Sequence, residues 1–197
     1  MQKVRLGRTG LEVSVAALGA GGKSRLGQTR GADFEHSVSL VRTAIDEGVN
    51  LLDTATAYGT QPIIAAAVKG RRDEIIISTK AMIYAAGASP TGTDHLIDGK
   101  ELRRRVESCL AALQTDYIDL FHLHGVTPEQ YEHCRKELVP VLFDLRDEGL
   151  IRFTCITERF LVDQKHHMRA AQLLGMLGRE ATRAAGIACR RCTQGDQ

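Results

Sequence analysis

Short apolar runs alternate with amphipathic stretches along most of the chain. Residues 13–18, 50–53, 74–78, 117–121 and 151–156 are the kind of run expected of strands buried on both faces. Between them, Val38, Val41, Ala44 and Ile45 recur three and four positions apart, as do Leu102, Val106, Cys109, Leu110 and Leu113, which predicts helices with one apolar stripe. Gly48 and Gly149 are placed to stop helices. The second follows a helix carrying Leu138, Leu142 and Leu145, in which Pro140 marks the start or a kink. Strand and helix in turn predict an α/β fold with a parallel sheet of five barrel-type strands. Ahead of them, residues 4–6 and 11–13 flank Gly7, Arg8, Thr9 and Gly10, which predicts an N-terminal β-hairpin that plugs the bottom of a barrel.

The alternation stops after Ile156. Residues 165–197 hold six Lys or Arg against two acids, whereas the other residues hold 20 basic and 22 acidic groups. The tail has no β-branched run for a sixth strand, and Gly175, Gly178 and Gly186 interrupt its amphipathic stretch. The expected organisation is a partial barrel over residues 1–160 and an atypical tail over 161–197, helical or disordered, on a chain truncated or frame-disrupted at its C-terminus.

Composition narrows the function. With 197 residues, 43% of them hydrophobic, the chain can form one domain with a real core. A net charge of +2 without a basic cluster argues against nucleic acid and membrane surfaces as partners. The N-terminus lacks the apolar core of a signal peptide, and no run reaches membrane-spanning length, so a cytoplasmic protein is expected. Five cysteines, an odd number, are expected to stay reduced. Cys189 and Cys192 form one C-x-x-C, too little for zinc, and no metal site is expected.

The candidate chemistry sits at strand ends. Asp53 and Tyr58 follow the second strand in GVNLLDTATAYG, Lys80 closes the third in IIISTK, and His124 follows the fourth in DYIDLFHLHG. In a parallel barrel the C-terminal strand ends form the face on which side chains from different strands converge. Carbonyl reduction needs a hydride donor and an acid that protonates the oxygen as charge develops on it. Tyr58 suits the acid, Lys80 is expected to lower its pKa, Asp53 to hold Lys80 charged, and His124 to bind or relay at the carbonyl. Singly, each reads more readily as a turn cap, a surface ring, a solvated charge or a loop imidazole. Their placement after three successive strands reverses that judgement. His122, two residues before His124 on the same side of an extended strand, competes for the fourth place. The glycines around Lys23 and Ser24 are not a phosphate loop, because Ala17 stands where that motif needs Gly. They suit a tight loop at the pocket rim. Arg103, Arg104 and Arg105 read as a solvated helix face.

The segments LGRTGLEVS, GVNLLDTATAYG, IIISTK and DYIDLFHLH, in that order and spacing, resemble the motifs of the aldo-keto reductase family over about residues 4–160. The resemblance implies a (β/α)₈ barrel of the TIM type, here incomplete at about five of eight strands. It also implies a catalytic tetrad of Asp53, Tyr58, Lys80 and His124, in preference to His122. Hydride would come from NADPH, or less often NADH, to a small aldehyde or ketone. Thr157 and Glu158 stand where the family's Ser-Asn pair meets the nicotinamide carboxamide, so Asp53, Thr157 and Glu158 are the expected cofactor contacts. Glu in place of Asn is an acceptor only, and Cys155 stands where Gly is usual, adding volume at the strand end. The family's phosphate loops follow its seventh and eighth strands, which have no counterpart in this chain. The alternative expectation is therefore an inactive remnant, or a half-barrel acting only by association through its unpaired edges.

Overall fold

The computed structural model describes residues 1–159, so the tail expected over 161–197 and the Cys189–Cys192 pair lie outside the described residues. β1 (Lys3–Arg5) and β2 (Glu12–Ser14) form the antiparallel hairpin, with Val4 opposite Val13. Then follow β3 (Leu18–Gly19), α1 (Phe34–Asp46), β4 (Leu51–Asp53), α2 (Gln61–Val68), β5 (Ile76–Met82), α3 (Gly99–Leu113), β6 (Ile118–Val126), α4 (Tyr131–His133), α5 (Val139–Asp147) and β7 (Ile151–Glu158). β3 to β7 form one parallel sheet in chain order. The expected five-stranded parallel architecture is thus present.

Period-two alternation divides the sheet into two faces. Leu52, Ile77, Ala81, Phe121 and Leu123 point outward and join Val38, Val41, Leu102, Val106, Leu138 and Leu142 of the helical layer in one continuous core. Ile76 and Leu120 point inward. They close with Leu6, Leu11 and Val13 of the hairpin into a second, smaller cluster flanked by Leu51, Phe153 and Cys155. The hairpin therefore plugs the N-terminal end of the concave face. Buried Asn50 fastens it there: its Oδ1 accepts from Ser14 N (2.7 Å), its Nδ2 donates to Glu12 O (2.9 Å), and its own N–H donates to Ser14 Oγ (3.1 Å).

Local chemistry sets the element ends. Asp33 caps α1 by accepting from His36 N, and Asp98 caps α3 by accepting from Glu101 N. Gly48 and Gly149 follow their helices with φ of 94° and 81°, in the left-handed region. Pro140 falls in the first turn of α5, where its missing N–H costs nothing, directly after a π-helical turn over Cys134–Leu138.

Several expected boundaries are corrected. Residues 13 and 14 belong to the hairpin, and the first barrel strand is only β3, because Ser14 is held by Asn50 and the chain must turn before Leu18. The third strand begins at Ile76, since Arg72–Glu74 form a 3-10 turn, and it runs on through Lys80 to Met82. The fourth extends to Val126, so His124 lies within a strand and not beyond it.

Candidate active site

Inward-facing residues become polar toward the C-terminal ends of the strands. One level pairs Gly19, Asp53, Ser78, Leu120 and Phe153 across β3 to β7. The next pairs Lys80, His122 and Cys155, and the last pairs Met82 with His124. The sheet thus brings Asp53, Lys80, His122 and His124 together from three strands, as its parallel topology requires. Tyr58 joins them from a single 3-10 turn, Thr56–Tyr58, just after β4.

Lys80 is 6% exposed, and its ammonium group donates to Asp53 Oδ1 (2.7 Å), Asp53 Oδ2 (2.6 Å) and Thr54 O (2.9 Å). All three donors are satisfied, which a buried ammonium requires. Its Nζ lies 5.3 Å from the centroid of the Tyr58 ring. Asp53 Oδ1 also accepts from Ser78 Oγ (2.8 Å), and that oxygen lies 3.0 Å from His122 Nε2. His124 meets the Tyr58 ring edge to face, with centroids 5.9 Å apart at 89°. The two imidazoles are therefore distinguished by their neighbours: His122 faces Ser78, and His124 faces Tyr58.

Charge follows from burial and pairing. The expectation that Lys80 lowers the Tyr58 pKa is corrected: burial, and then the Asp53 carboxylate, raise it above its ordinary value. The physical reason is that the Lys80 charge is balanced by Asp53 at hydrogen-bonding distance. Tyr58 thus keeps its proton through neutral pH. Burial, with Lys80 next, lowers the pKa of both His122 and His124 to about 4, so both rings are neutral. The Nδ1 atoms of both are buried and have no hydrogen-bond partner among the described residues. The Cys155 thiol is pushed up to about 12 by burial and is an inert part of the inner wall. It sits in regular register opposite His122, so the added volume there is accommodated.

Thr157 and Glu158 part company. Thr157 accepts from Gly125 N (2.9 Å), whereas Glu158 accepts from the Tyr131 hydroxyl (2.5 Å) on the helical side of the sheet. One step along a strand reverses the side-chain direction, so Glu158 is turned away from Tyr58 and His124.

Three residues that shape the site carried no sign in the sequence. Ser78 stood in a run read only as buried strand. Gly21 read as a rim loop, but a Cβ there would lie 2.5–2.8 Å from Cε2, Cζ and Cδ2 of Tyr58. Its lack of a side chain is what admits the ring. Gly125, with φ of 67°, is the bulge that shifts register between β6 and β7, immediately after His124. Such a bulge re-aims the side chain beside it.

A cleft of about 460 Å³ lies at the opposite end of the strands, lined by Lys3, Glu12, Asn50, Arg71 and Arg152 among others. It is remote from these groups, and its arginines are already paired with Asp46, Glu74 and Asp119. Among the described residues no group of three or more His, Cys, Asp or Glu could hold a metal ion, and no helix is long and apolar enough to cross a membrane.

Comparison with known proteins gives a concordant result. The model of the aldo/keto reductase family matches residues 17–172. An aldo-keto reductase of Bacillus subtilis is 33% identical over 177 residues, covering 86% of this chain and 50% of that protein. The solved aldo-keto reductase of Bacillus halodurans, in its holo form, superposes with a TM-score of 0.65 at 28% identity, over 84% of this chain and 53% of that one. One from Klebsiella pneumoniae, in complex with NADP and acetate, superposes with a TM-score of 0.62 at 25% identity, over 85% and 52%. The chain spans about half the length of the curated relatives it matches.

Proposed function

Because the chain belongs to the aldo/keto reductase family, we propose that its described part carries the proton-transfer end of an NAD(P)H-dependent oxidoreductase that reduces a small aldehyde or ketone to an alcohol. The observation that carries this reading is the Lys80–Asp53 pair, 2.6 Å apart, with the buried Lys80 Nζ 5.3 Å from the Tyr58 ring centroid and His124 packed edge to face with that ring. NADP is the favoured cofactor, since it is present in the Klebsiella relative, with NAD as the second choice.

The inward residues fit a nicotinamide and a carbonyl. The inward face carries one balanced ion pair, Lys80 with Asp53, beside the neutral Tyr58 and His124, and Nδ1 of His124 is buried and has no hydrogen-bond partner among the described residues. Thr157 and the Asp53 end of β4 would hold the nicotinamide end. Glu158, engaged by Tyr131 on the other face, is left out of that set. Bound there, the dihydronicotinamide supplies the hydride.

The chain's own groups do the rest. Tyr58, protonated because burial and Asp53 raise its pKa, gives its proton to the carbonyl oxygen as negative charge develops there. Lys80, held by Asp53 and Thr54, sits with its Nζ 5.3 Å from the ring centroid and, its charge balanced by Asp53, fixes the wall beside the phenol and leaves Tyr58 protonated until the carbonyl oxygen takes the proton. His124, neutral, can donate a hydrogen bond to the same oxygen without competing as an acid.

Titration of the protein with NADPH, followed by cofactor fluorescence, tests the reading. Saturable binding is expected, retained in Lys80→Met. A folded protein that binds neither NADPH nor NADH would favour the remnant reading.

A further inference from the structure

His122 is left without work in this scheme, yet it is the far end of a connected chain of hydrogen bonds. Ser78 Oγ donates to Asp53 Oδ1 at 2.8 Å and lies 3.0 Å from His122 Nε2. A hydroxyl has one proton to give. The carboxylate is the stronger acceptor and takes it, so Ser78 Oγ must accept from the imidazole. The ring is then protonated at Nε2 and bare at Nδ1. Nδ1 is buried and meets no hydrogen-bond partner of good geometry among the described residues, the Ile156 backbone being close enough to act on the ring but not aligned to accept from it. Burial and the Lys80 charge also keep the ring neutral, with a single proton.

We propose that His122, donating from Nε2 through Ser78 Oγ, is a positioning residue that orients the Asp53 carboxylate on the Lys80 ammonium group. The proposal rests on the reading of Asp53 and Lys80 as the pair that supports Tyr58. The Asp53 side chain needs such a guide: it is 36% exposed and ends a three-residue strand. A partial rotation about its last bond would swing Oδ1 away from Ser78 and leave Lys80 with one oxygen in place of two. A donor chain running from β6 across β5 fixes that rotation. Lys80 is thereby held at its distance from Tyr58.

Nitrogen NMR of the isotopically labelled full chain, without cofactor, tests this directly. At neutral pH the His122 ring, assigned by loss of its signals in His122→Gln, is expected as the neutral Nε2–H tautomer. Ser78→Ala should move the His122 ring signals and shift or broaden the Lys80 ammonium resonance, and Ser78→Thr should restore both. A ring protonated at Nδ1 and turned to the Ile156 backbone would overturn the proposal. So would a Lys80 resonance indifferent to Ser78→Ala in a folded protein. In NADPH-dependent aldehyde reduction, Ser78→Ala and His122→Leu should lower kcat by on the order of tenfold with KM for NADPH unchanged, while His122→Gln, which keeps an N–H donor, recovers most of the rate. NMR results as expected in a protein that never binds NADPH would instead count against the proposed function alone.

Discussion

Gly21 and Tyr58 show how a residue can matter through what it lacks. A methyl group at position 21 would stand inside contact distance of three ring carbons, so Gly21→Ala should displace the phenol. We expect kcat for carbonyl reduction to drop at least about tenfold, with the thermal midpoint little changed; in a Tyr58→Phe background the same substitution should have no further effect. Additive losses would show that Gly21 acts elsewhere. Proton inventory belongs to this scale as well. With Tyr58 raised and His124 lowered to about 4, the reduction rate should stay level from about pH 5 to about pH 9, with no inflection near the ordinary histidine value of about 6.5. Alcohol oxidation, which needs the tyrosinate as base, should instead rise with pH. Asp53, Tyr58, Lys80 and His124 could be picked out in the sequence because their chemistry is written in their side chains at strand ends. Ser78 and Gly21 could not, because what they do depends on distances to Asp53, His122 and Tyr58 on other segments.

Elements were legible where one face is apolar. α1 and α3 each bury a stripe, Val38, Val41 and Ile45 in one and Leu102, Val106, Cys109 and Leu113 in the other, and period 3.6 exposes such a stripe in sequence. α2 was not read as a helix. Gln61, Ile63, Ile64, Ala65, Ala67 and Val68 are all buried, and a helix apolar on nearly every side has no period to detect. Strand ends were read short for a related reason. Lys80, His122 and His124 are polar, so β5 and β6 look finished where in fact they continue into the site. The hairpin was legible, but its fastening was not, since Asn50 acts on backbone groups 36 and 38 residues away. Asn50→Ala leaves the buried Ser14 N–H without its acceptor and should cost about 1–3 kcal/mol in urea unfolding. An unchanged midpoint would mean that Leu6, Leu11 and Val13 alone hold the hairpin.

At the scale of the whole molecule, two neutral, half-buried imidazoles couple stability to acid. Both His122 and His124 have folded-state pKa values of about 4, below the unfolded value of about 6.5. The unfolded chain therefore binds more protons in that window. Their contribution is complete above about pH 6.5 and is lost as the pH falls toward 4, at up to about 1.4 kcal/mol per pH unit for His122 and less for His124, which solvent partly screens. Urea midpoints measured across that window should fall toward acid, and His122→Gln should flatten the slope by at least about half. Five parallel strands in chain order were legible because parallel strands bury both faces and alternate with helices. The inner face is where apolar pattern failed, because it changes from Ile76 and Leu120 at the plugged end to Ser78, Lys80, His122 and His124 at the open one.

The central claim is that Tyr58 delivers the proton in a nicotinamide-dependent carbonyl reduction. The most direct measurement is NADPH consumption by the full chain with a panel of aromatic and aliphatic aldehydes, compared with Tyr58→Phe. The account predicts saturable reduction of at least one aldehyde and a loss of about 10²–10⁴ in kcat for the variant, with cofactor binding retained. Reduction by Tyr58→Phe at the rate of the unmodified protein, or none by a folded protein that binds NADPH, would contradict it.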